Sequence, residues 1–243
     1  MNSKETNTNT KSAKKLVTLE EVKQDQRVAS LLKQTNKQMK VMGFTEHGER
    51  HAHLVGSIAR NILLKLGHDE RTAELAAIAG YFHDIGNVIH REDHAHAGAL
   101  IAMDVLQDLG MAPEEEAVIM GAVGNHEEER GIPVSEIAAA VIIADKADVH
   151  HSRMQEPLPP DFNNGKSSKI QDIHDRVNYS AKSSFVYVDG KKKVITLKLE
   201  IDVRISSIMD YFEIFLSRML IVRRAADFLG CEFALHINET KLF

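Results

Sequence analysis

Residues 73–86 read AELAAIAGYFHDIG, an apolar and alanine-rich segment that ends on the pair His83-Asp84. Its apolar residues recur with the helical period, which predicts a helix, and its small side chains favour close packing against a neighbouring helix. An adjacent imidazole and carboxylate can bind one metal ion through the histidine while the aspartate bridges to a second. The dipeptide is common, so it indicates a metal site only if further ligands exist elsewhere in the chain.

Further histidine and aspartate residues occupy comparable positions on other predicted helices. His51 opens one helix, His94 starts another four residues before Gly98, His126 ends a third, and Asp145 ends the apolar run 141–144. Helix-end placement lets separate helices direct their side chains at a common centre. Imidazole ligands suit iron, manganese or zinc better than calcium or magnesium. The predicted ligand set therefore has six members: His51, His83, Asp84, His94, His126 and Asp145.

Simpler interpretations exist for each histidine. Taken singly, a buried and hydrogen-bonded histidine is the more common explanation, and only the ordered set favours metal binding. His94 has a rival in His96, and we prefer His94 because of its spacing to Gly98. The histidines that we assign to the surface rather than to the metal are His53, His68, His90, His150, His151 and His174.

Hydrophobic periodicity predicts six helices before residue 150. We expect them at residues 18–42, 49–66, 69–83, 94–109, 113–126 and 135–149. Residues 156–170 are rich in Pro, Asn, Gly and Ser, which is typical of a linker or long loop, and a short helix is expected at about 172–179.

The pattern changes to a period of two after Ser184. Residues 185–188 predict a strand, Asp189-Gly190 a hairpin turn, and residues 195–203 a second strand with one buried face. A broad apolar stripe predicts a long helix at residues 206–229, and a last strand is expected at 231–237. This β-β-α-β unit has an apolar face that could pack on the helical body or on a second copy of itself.

Composition excludes several classes of protein. The formal net charge of -5 gives no global attraction to nucleic acid or anionic lipid. The single cysteine, Cys231, excludes an internal disulfide and a thiolate zinc site, and indicates a reducing compartment. We find no signal peptide and no apolar run of the length a membrane span needs, and therefore expect a cytoplasmic protein.

The order of these motifs resembles the HD-domain metal-dependent phosphohydrolase superfamily, in its binuclear-metal branch. The resemblance covers little beyond residues 43–155. It implies that His51, His83, Asp84 and Asp145 hold a first metal, and that Asp84, His94 and His126 hold a second. We accordingly predict a mainly α protein, an HD-type helical bundle with a small C-terminal α+β unit. The expected domains are a disordered tail 1–18, an HD domain 19–155, a linker 156–183 and a C-terminal domain 184–243.

The chain departs from the cyclic-dinucleotide phosphodiesterases of this superfamily. Those enzymes usually carry Lys where Asn87 stands, and a His-His pair where Asn125-His126 stands. Their Gly-Tyr-Pro signature is replaced here by residues 128–133. Specificity for a cyclic dinucleotide therefore cannot be transferred to this chain.

Other polar residues near these motifs are candidates for catalysis and substrate binding. We assign catalytic roles to Asp84, Glu127 and Lys146, with Glu127 acting in proton transfer or orienting a ligand histidine. The predicted substrate-binding residues are His47, Arg50, Asn87, Arg91, Lys146 and Arg153. Long basic side chains usually face water, and that is the simpler interpretation for Arg91, Lys146 and Arg153.

The predicted function is metal-dependent hydrolysis of a phosphate monoester or phosphodiester in a small phosphorylated or nucleotide substrate. A hydroxide bridging two divalent metal ions, Fe or Mn with Zn as an alternative, would attack phosphorus. The alternatives are a di-iron oxygenase using the same six ligands, or a non-catalytic nucleotide-binding sensor. We expect no membrane or nucleic-acid partner. A homodimer through the C-terminal unit is one option for its assembly.

Overall fold

The structure, a computed structural model, describes residues 15–155 and 173–242. In this part the chain is mainly helical, with a four-stranded mixed sheet near its C-terminus, which confirms the predicted fold class. None of the helices described is long and apolar enough to cross a membrane. The helices before residue 150 are α1 (Leu19–Gln24), α2 (Gln26–Val41), α3 (Glu49–Leu66), α4 (Glu70–Phe82), α5 (His94–Leu109), α6 (Pro113–Gly124) and α7 (Glu136–Lys146).

The centre of the helical body is formed by α3, α4 and α7. The backbones of α3 and α4 touch, because a Cβ on Gly80 would lie 2.8 Å from the Cα of Gly56. The small side chains in the segment 73–86 thus permit the close packing of α4 on α3 that the sequence predicts. Every residue of α7 from Ile137 to Lys146 is buried. This packing brings the ends of several helices to one side of the body.

A second close approach sets the start of α5. A Cβ on Gly86 would lie 2.0 Å from the carbonyl oxygen of His94 and 2.4 Å from the amide nitrogen of Gly98. Glycine is therefore required where the short 3₁₀ turn Ile85–Val88 meets α5. As a result, the first turn of α5 lies directly beside the segment that follows α4.

Several predicted helix bounds differ from the observed ones. The segment 18–42 is divided at Asp25, whose extended backbone and side chain cap α2 by accepting hydrogen bonds from the amides of Arg27 and Val28. Helix α6 ends at Gly124 rather than 126, and α7 ends at Lys146 rather than 149. His126 therefore lies just beyond its helix, on the turn that follows.

The C-terminal part contains α8 (Ile173–Ser180), β1 (Ala181–Asp189), β2 (Val194–Ile201), α9 (Ile208–Phe228), β3 (Glu232–Ile237) and β4 (Thr240–Lys241). The sheet order is β1-β2-β3-β4, with β1/β2 and β3/β4 antiparallel and β2/β3 parallel. The first strand begins at Ala181, four residues before the predicted start, and the two-residue strand β4 was not predicted. On β2 the predicted alternation holds, with Ile195, Leu197, Leu199 and Ile201 buried.

The C-terminal unit packs directly on the helical body. Helix α9 contacts α7, and the Ser184 hydroxyl donates a hydrogen bond to the carbonyl of Ala147. One cluster of buried apolar side chains includes residues of both parts. The predicted division at residues 155 and 184 stays a prediction.

Two predicted segments lie partly outside the described residues. These are the tail, of which residues 1–14 are not described, and the linker, of which residues 156–172 are not described. Within the described part of the tail, Val17 is fully buried, and its carbonyl accepts a hydrogen bond from Arg71.

Candidate metal centre

Six buried imidazole and carboxylate side chains meet where the helix ends converge. His51 lies in the first turn of α3, His83 caps the C-terminus of α4, and Asp84 follows it. His94 is the first residue of α5, and Asp145 lies in the last turn of α7. With His126, these are all the predicted ligands, and each is at most 9% exposed.

The carboxylate of Asp84 lies between two pairs of histidines. Its Oδ2 atom is 3.4 Å from Nε2 of His51 and 3.2 Å from Nε2 of His83. Its Oδ1 atom is 3.4 Å from Nε2 of His94 and 3.7 Å from Nε2 of His126. Each carboxylate oxygen therefore faces one pair, an arrangement suited to bridging two cations.

Asp145 belongs to only one of these pairs. Its Oδ1 atom lies 3.3 Å from Nε2 of His51 and 3.5 Å from Nε2 of His83. We call His51, His83, Asp84 and Asp145 the first half-site, and Asp84, His94 and His126 the second half-site. The group His51-His83-Asp145, which lies within the first half-site, has ligand atoms close enough to share one ion. The group His83-Asp84-His126, which joins ligands of both half-sites, does so too.

The other ring nitrogen of each histidine is already held by an acceptor. Nδ1 of His83 lies 2.7 Å from the carbonyl of Gly80, Nδ1 of His94 2.9 Å from that of Arg91, and Nδ1 of His126 2.6 Å from that of Val123. Nδ1 of His51 lies 2.7 Å from the carboxylate of Asp148. These oxygens only accept hydrogen bonds, so each Nδ1 carries the proton and directs the Nε2 lone pair at the centre.

The Nε2 atoms are too close to one another to be stable as bare lone pairs. Those of His51 and His83 are 3.1 Å apart, and those of His94 and His126 are 3.2 Å apart. Since each Nδ1 donates elsewhere, the facing nitrogens repel unless a cation or a proton lies between them. The donor set therefore fits a metal ion in each half-site, and imidazole with carboxylate suits iron, manganese or zinc.

The electrostatics of the metal-free centre differ between the half-sites. Burial disfavours a charged His83, but the carboxylates of Asp84 and Asp145 outweigh it and raise its pKa to about 10. Burial dominates for His94, whose pKa falls to about 3. The two aspartates stay ionised: although burial opposes this, His83 lowers the pKa of Asp84, and Lys146 and His83 lower that of Asp145.

The chain also matches a known family through this region. Residues 48–153 match the family model described as HD domain. This segment is an HD domain. The match covers less than half of the chain, and it confirms the resemblance deduced from the motif order for this segment.

Two similar proteins show how far the likeness extends. An uncharacterized protein of Methanocaldococcus jannaschii is 28% identical over 155 residues, which are 55% of this chain and 56% of that protein. The chain therefore spans about half the length of the curated relative it matches. A predicted HD superfamily hydrolase from an uncultured Thermotogales bacterium is 22% identical, with a TM-score of 0.42 over 52% of this chain and 68% of that chain. Neither name specifies a substrate.

The choice between His94 and His96 is clear in the geometry of the HD domain. The side chain of His94 is 2% exposed and faces Asp84. That of His96 is 68% exposed and contacts Asp93 on the outside of α5. Only His94 of these two lies beside the other predicted ligands.

Asp148 orients His51 and was missed as a site residue by the sequence analysis. Its Oδ2 atom accepts hydrogen bonds from Nδ1 of His51 and, at 2.8 Å, from Arg50. Burial opposes ionisation of Asp148, yet His51 and Arg153 hold its pKa well below the usual value. The sequence feature that could have identified Asp148 is its position three residues after the predicted ligand Asp145.

Two predicted substrate-binding residues contact groups of the metal centre, and their role in substrate binding stays a prediction. Arg50 pairs with Glu46 and Asp148 and so lies behind His51. Asn87 is fully buried and donates hydrogen bonds to the backbone carbonyl and to Oδ1 of Asp84, both at 2.9 Å. Both side chains hold ligand groups in position.

The remaining predicted substrate-binding residues line an open cleft beside the metal centre. A small polar cavity of about 20 Å³ lies directly against the ligands and adjoins a larger cavity of about 340 Å³. Both cavities are lined by His47, Arg91, Arg153 and Arg218. Burial and the neighbouring Arg153 hold the pKa of His47 well below its usual value, so its ring is neutral.

The glutamate that faces this cleft is Glu128 rather than Glu127. Oε1 of Glu128 lies 3.3 Å from Nζ of Lys146 and 2.9 Å from Nε of Arg218. Burial opposes its ionisation, but these two cations outweigh burial and lower its pKa to about 2. Among the described residues lining the small cavity, Glu128 is present and Glu127 is absent. The role assigned to Glu127 stays a prediction.

Proposed function

We propose that this protein is a metal-dependent phosphohydrolase that cleaves a phosphate monoester or phosphodiester in a nucleotide or related metabolite. The single observation that supports this most is the pair of facing Nε2 contacts, 3.1 and 3.2 Å, on either side of the Asp84 carboxylate. Two cations satisfy both pairs at once. The superfamily of the HD domain agrees with this assignment.

The ligands of the two half-sites would hold two divalent ions, with Asp84 shared. Such ions lower the pKa of water and neutralise charge on phosphoryl oxygens. The protein contributes the fixed orientation of the ligands, because each of the four half-site histidines has its second nitrogen anchored by a backbone carbonyl or by Asp148. This rigidity keeps the lone pairs aimed at the same points before and after substrate binds.

The cleft beside the ligands is suited to an anion. Lys146 is buried, which disfavours its charge, but Asp145 and Glu128 outweigh burial and raise its pKa, so the ammonium stays charged. Nη1 of Arg91 lies 3.9 Å from Oδ1 of Asp84, at the edge of the second half-site. Both cations can donate hydrogen bonds to phosphoryl oxygens and stabilise the charge that develops on them.

Metal content and hydrolysis test this proposal together. The purified protein, loaded separately with Fe, Mn or Zn, should contain close to two metal ions per chain and release phosphate from at least one ester of a broad panel. His94→Gln should lose the second-site metal and most of the activity. His96→Gln is the matched control, because this exposed histidine lies on the same turn of α5 and faces solvent.

The contrary outcomes are distinct. A fully loaded protein that releases no phosphate from any ester would contradict the proposal and leave the sensor alternative. Oxygen consumption by the iron form with a carbon substrate, again without phosphate release, would favour the oxygenase.

A further inference from the structure

Arg218 reaches the cleft of the HD domain from the C-terminal unit. It lies on α9, whose buried face includes Phe215, Met219 and Val222 and packs towards α7. At three residues from Phe215, Arg218 lies at the border of this face, with its side chain 28% exposed. Its guanidinium covers the ring of Phe215, with 4.6 Å between Cζ and the ring centroid. The aromatic ring and Glu128 thus hold the guanidinium at the cavity wall.

The larger cavity has an unusual balance of charge. Three arginines line it, Arg91, Arg153 and Arg218, and no carboxylate is among its described lining residues. Arg91 lies over the ring of Phe44 at 5.6 Å, as Arg218 does over Phe215. The acids that pair with these arginines, Asp84, Asp148 and Glu128, lie outside that lining. The wall therefore presents cations to an anion in the cleft, and a cleft concentrates their field.

In the proposed function, the metal centre takes the phosphoryl group that is cleaved. Lys146 contacts the ligand Asp145 and lines the small cavity, whereas the larger cavity begins beyond it. Glu128 is shared between Lys146 and Arg218, and of these two cations only Arg218 lines the larger cavity.

We propose that Arg218, with Arg91 and Arg153, forms a second anion-binding subsite, and that the substrate carries a second phosphate group besides the one that is cleaved. This rests on the proposed function, because it concerns the leaving-group side of the same cleft. Arg218 is then a specificity-determining residue supplied by the C-terminal unit. Its guanidinium can donate two parallel hydrogen bonds to a phosphate.

Binding of paired probes that cannot be hydrolysed tests this subsite. Phenylphosphonate carries one anionic group, while para- and meta-phenylenediphosphonate carry two groups that are too far apart to chelate one metal ion. With the metal-loaded full chain, we expect the better diphosphonate to bind at least about tenfold tighter than the monophosphonate. Arg218→Gln should reduce that ratio to about one, and Arg218→Lys should retain part of it.

The control variant is Arg223→Gln, which removes the same charge from an exposed position on α9. It should keep the ratio of the unmodified protein. Affinity for phenylphosphonate itself reports whether the metal centre of Arg218→Gln is intact. A ratio near one in the unmodified protein, or a ratio unchanged in Arg218→Gln, would overturn the proposal.

The outcome separates this inference from the proposed function. A protein that hydrolyses phosphoesters but binds mono- and diphosphonates equally has the activity without the subsite. A protein that prefers diphosphonates through Arg218 but hydrolyses no ester has the subsite without the activity.

Discussion

Replacement of Asp148 by asparagine should weaken metal binding at the first half-site and leave the second unchanged. Asp148 accepts the Nδ1 proton of His51 at 2.7 Å and neutralises Arg50 at 2.8 Å. Asparagine keeps the size and one acceptor oxygen but loses the negative charge. His51 then becomes a weaker ligand. The new amide can also present either its oxygen or its nitrogen to Nδ1 of His51, so it fixes the ring less firmly. His94 and His126 donate to backbone carbonyls that the substitution does not touch.

The expected loss of metal affinity follows from the role of Asp148 as the hydrogen-bond partner of a ligand histidine. Loss of a hydrogen-bonded residue behind a ligand histidine typically costs about 10–100-fold in metal affinity. This corresponds to about 1.4–2.7 kcal/mol. The lower part of that range is expected, because an asparagine oxygen can still accept from Nδ1.

Calorimetric titration of the metal-free protein with zinc or manganese measures both half-sites in one experiment. Asp104→Asn is the matched control: its side chain is 71% exposed and contacts Arg27, on the surface formed by α2 and α5. Equal weakening of both half-sites in Asp148→Asn, or no weakening at all, would refute the orienting role of Asp148.

Two further changes probe packing and protonation. Gly80→Ala should destabilise the fold by about 1–3 kcal/mol in denaturant unfolding, because the new Cβ meets the backbone of Gly56. Gly121→Ala, whose Cβ would have its nearest neighbour at 3.7 Å, should be neutral or stabilising, and equal losses would contradict the packing argument. Metal binding at about pH 8 should release protons, since the pKa of metal-free His83 is about 10 and a ligand must give up its proton. His94, with a pKa of about 3, contributes none. Binding heats that are identical in buffers of different ionisation enthalpy would contradict this.

Hydrophobic periodicity was sufficient to predict most helices of this protein. It failed at Asp25, where the side chain caps the following helix, because an apolar stripe can continue across a short break in the backbone. It also missed β4, since two residues are too few to show a period. Both are local features whose stability depends on one side chain or one neighbouring strand.

The six candidate ligands could be chosen from the sequence because each stands at or near a predicted helix end. The structure places all six within reach of two half-sites, while metal binding itself stays a prediction. The supporting residues were harder to choose. Arg50, predicted to bind substrate, contacts Asp148, and Glu128 rather than its neighbour Glu127 faces the cleft. Which of two adjacent side chains points inward depends on the backbone of a turn, and no periodic pattern reports it.

The sequence by itself determined the helical fold and the type of ligand, because periodicity and residue chemistry are properties of short segments. Only the tertiary structure decided that Asp84 lies between two pairs of imidazoles and that Arg218 joins the cleft. Those relations join elements far apart in the chain, and they arise from the close packing of α3 on α4 and of α9 on α7. Such contacts are set by the shape of the whole core, which no single segment encodes.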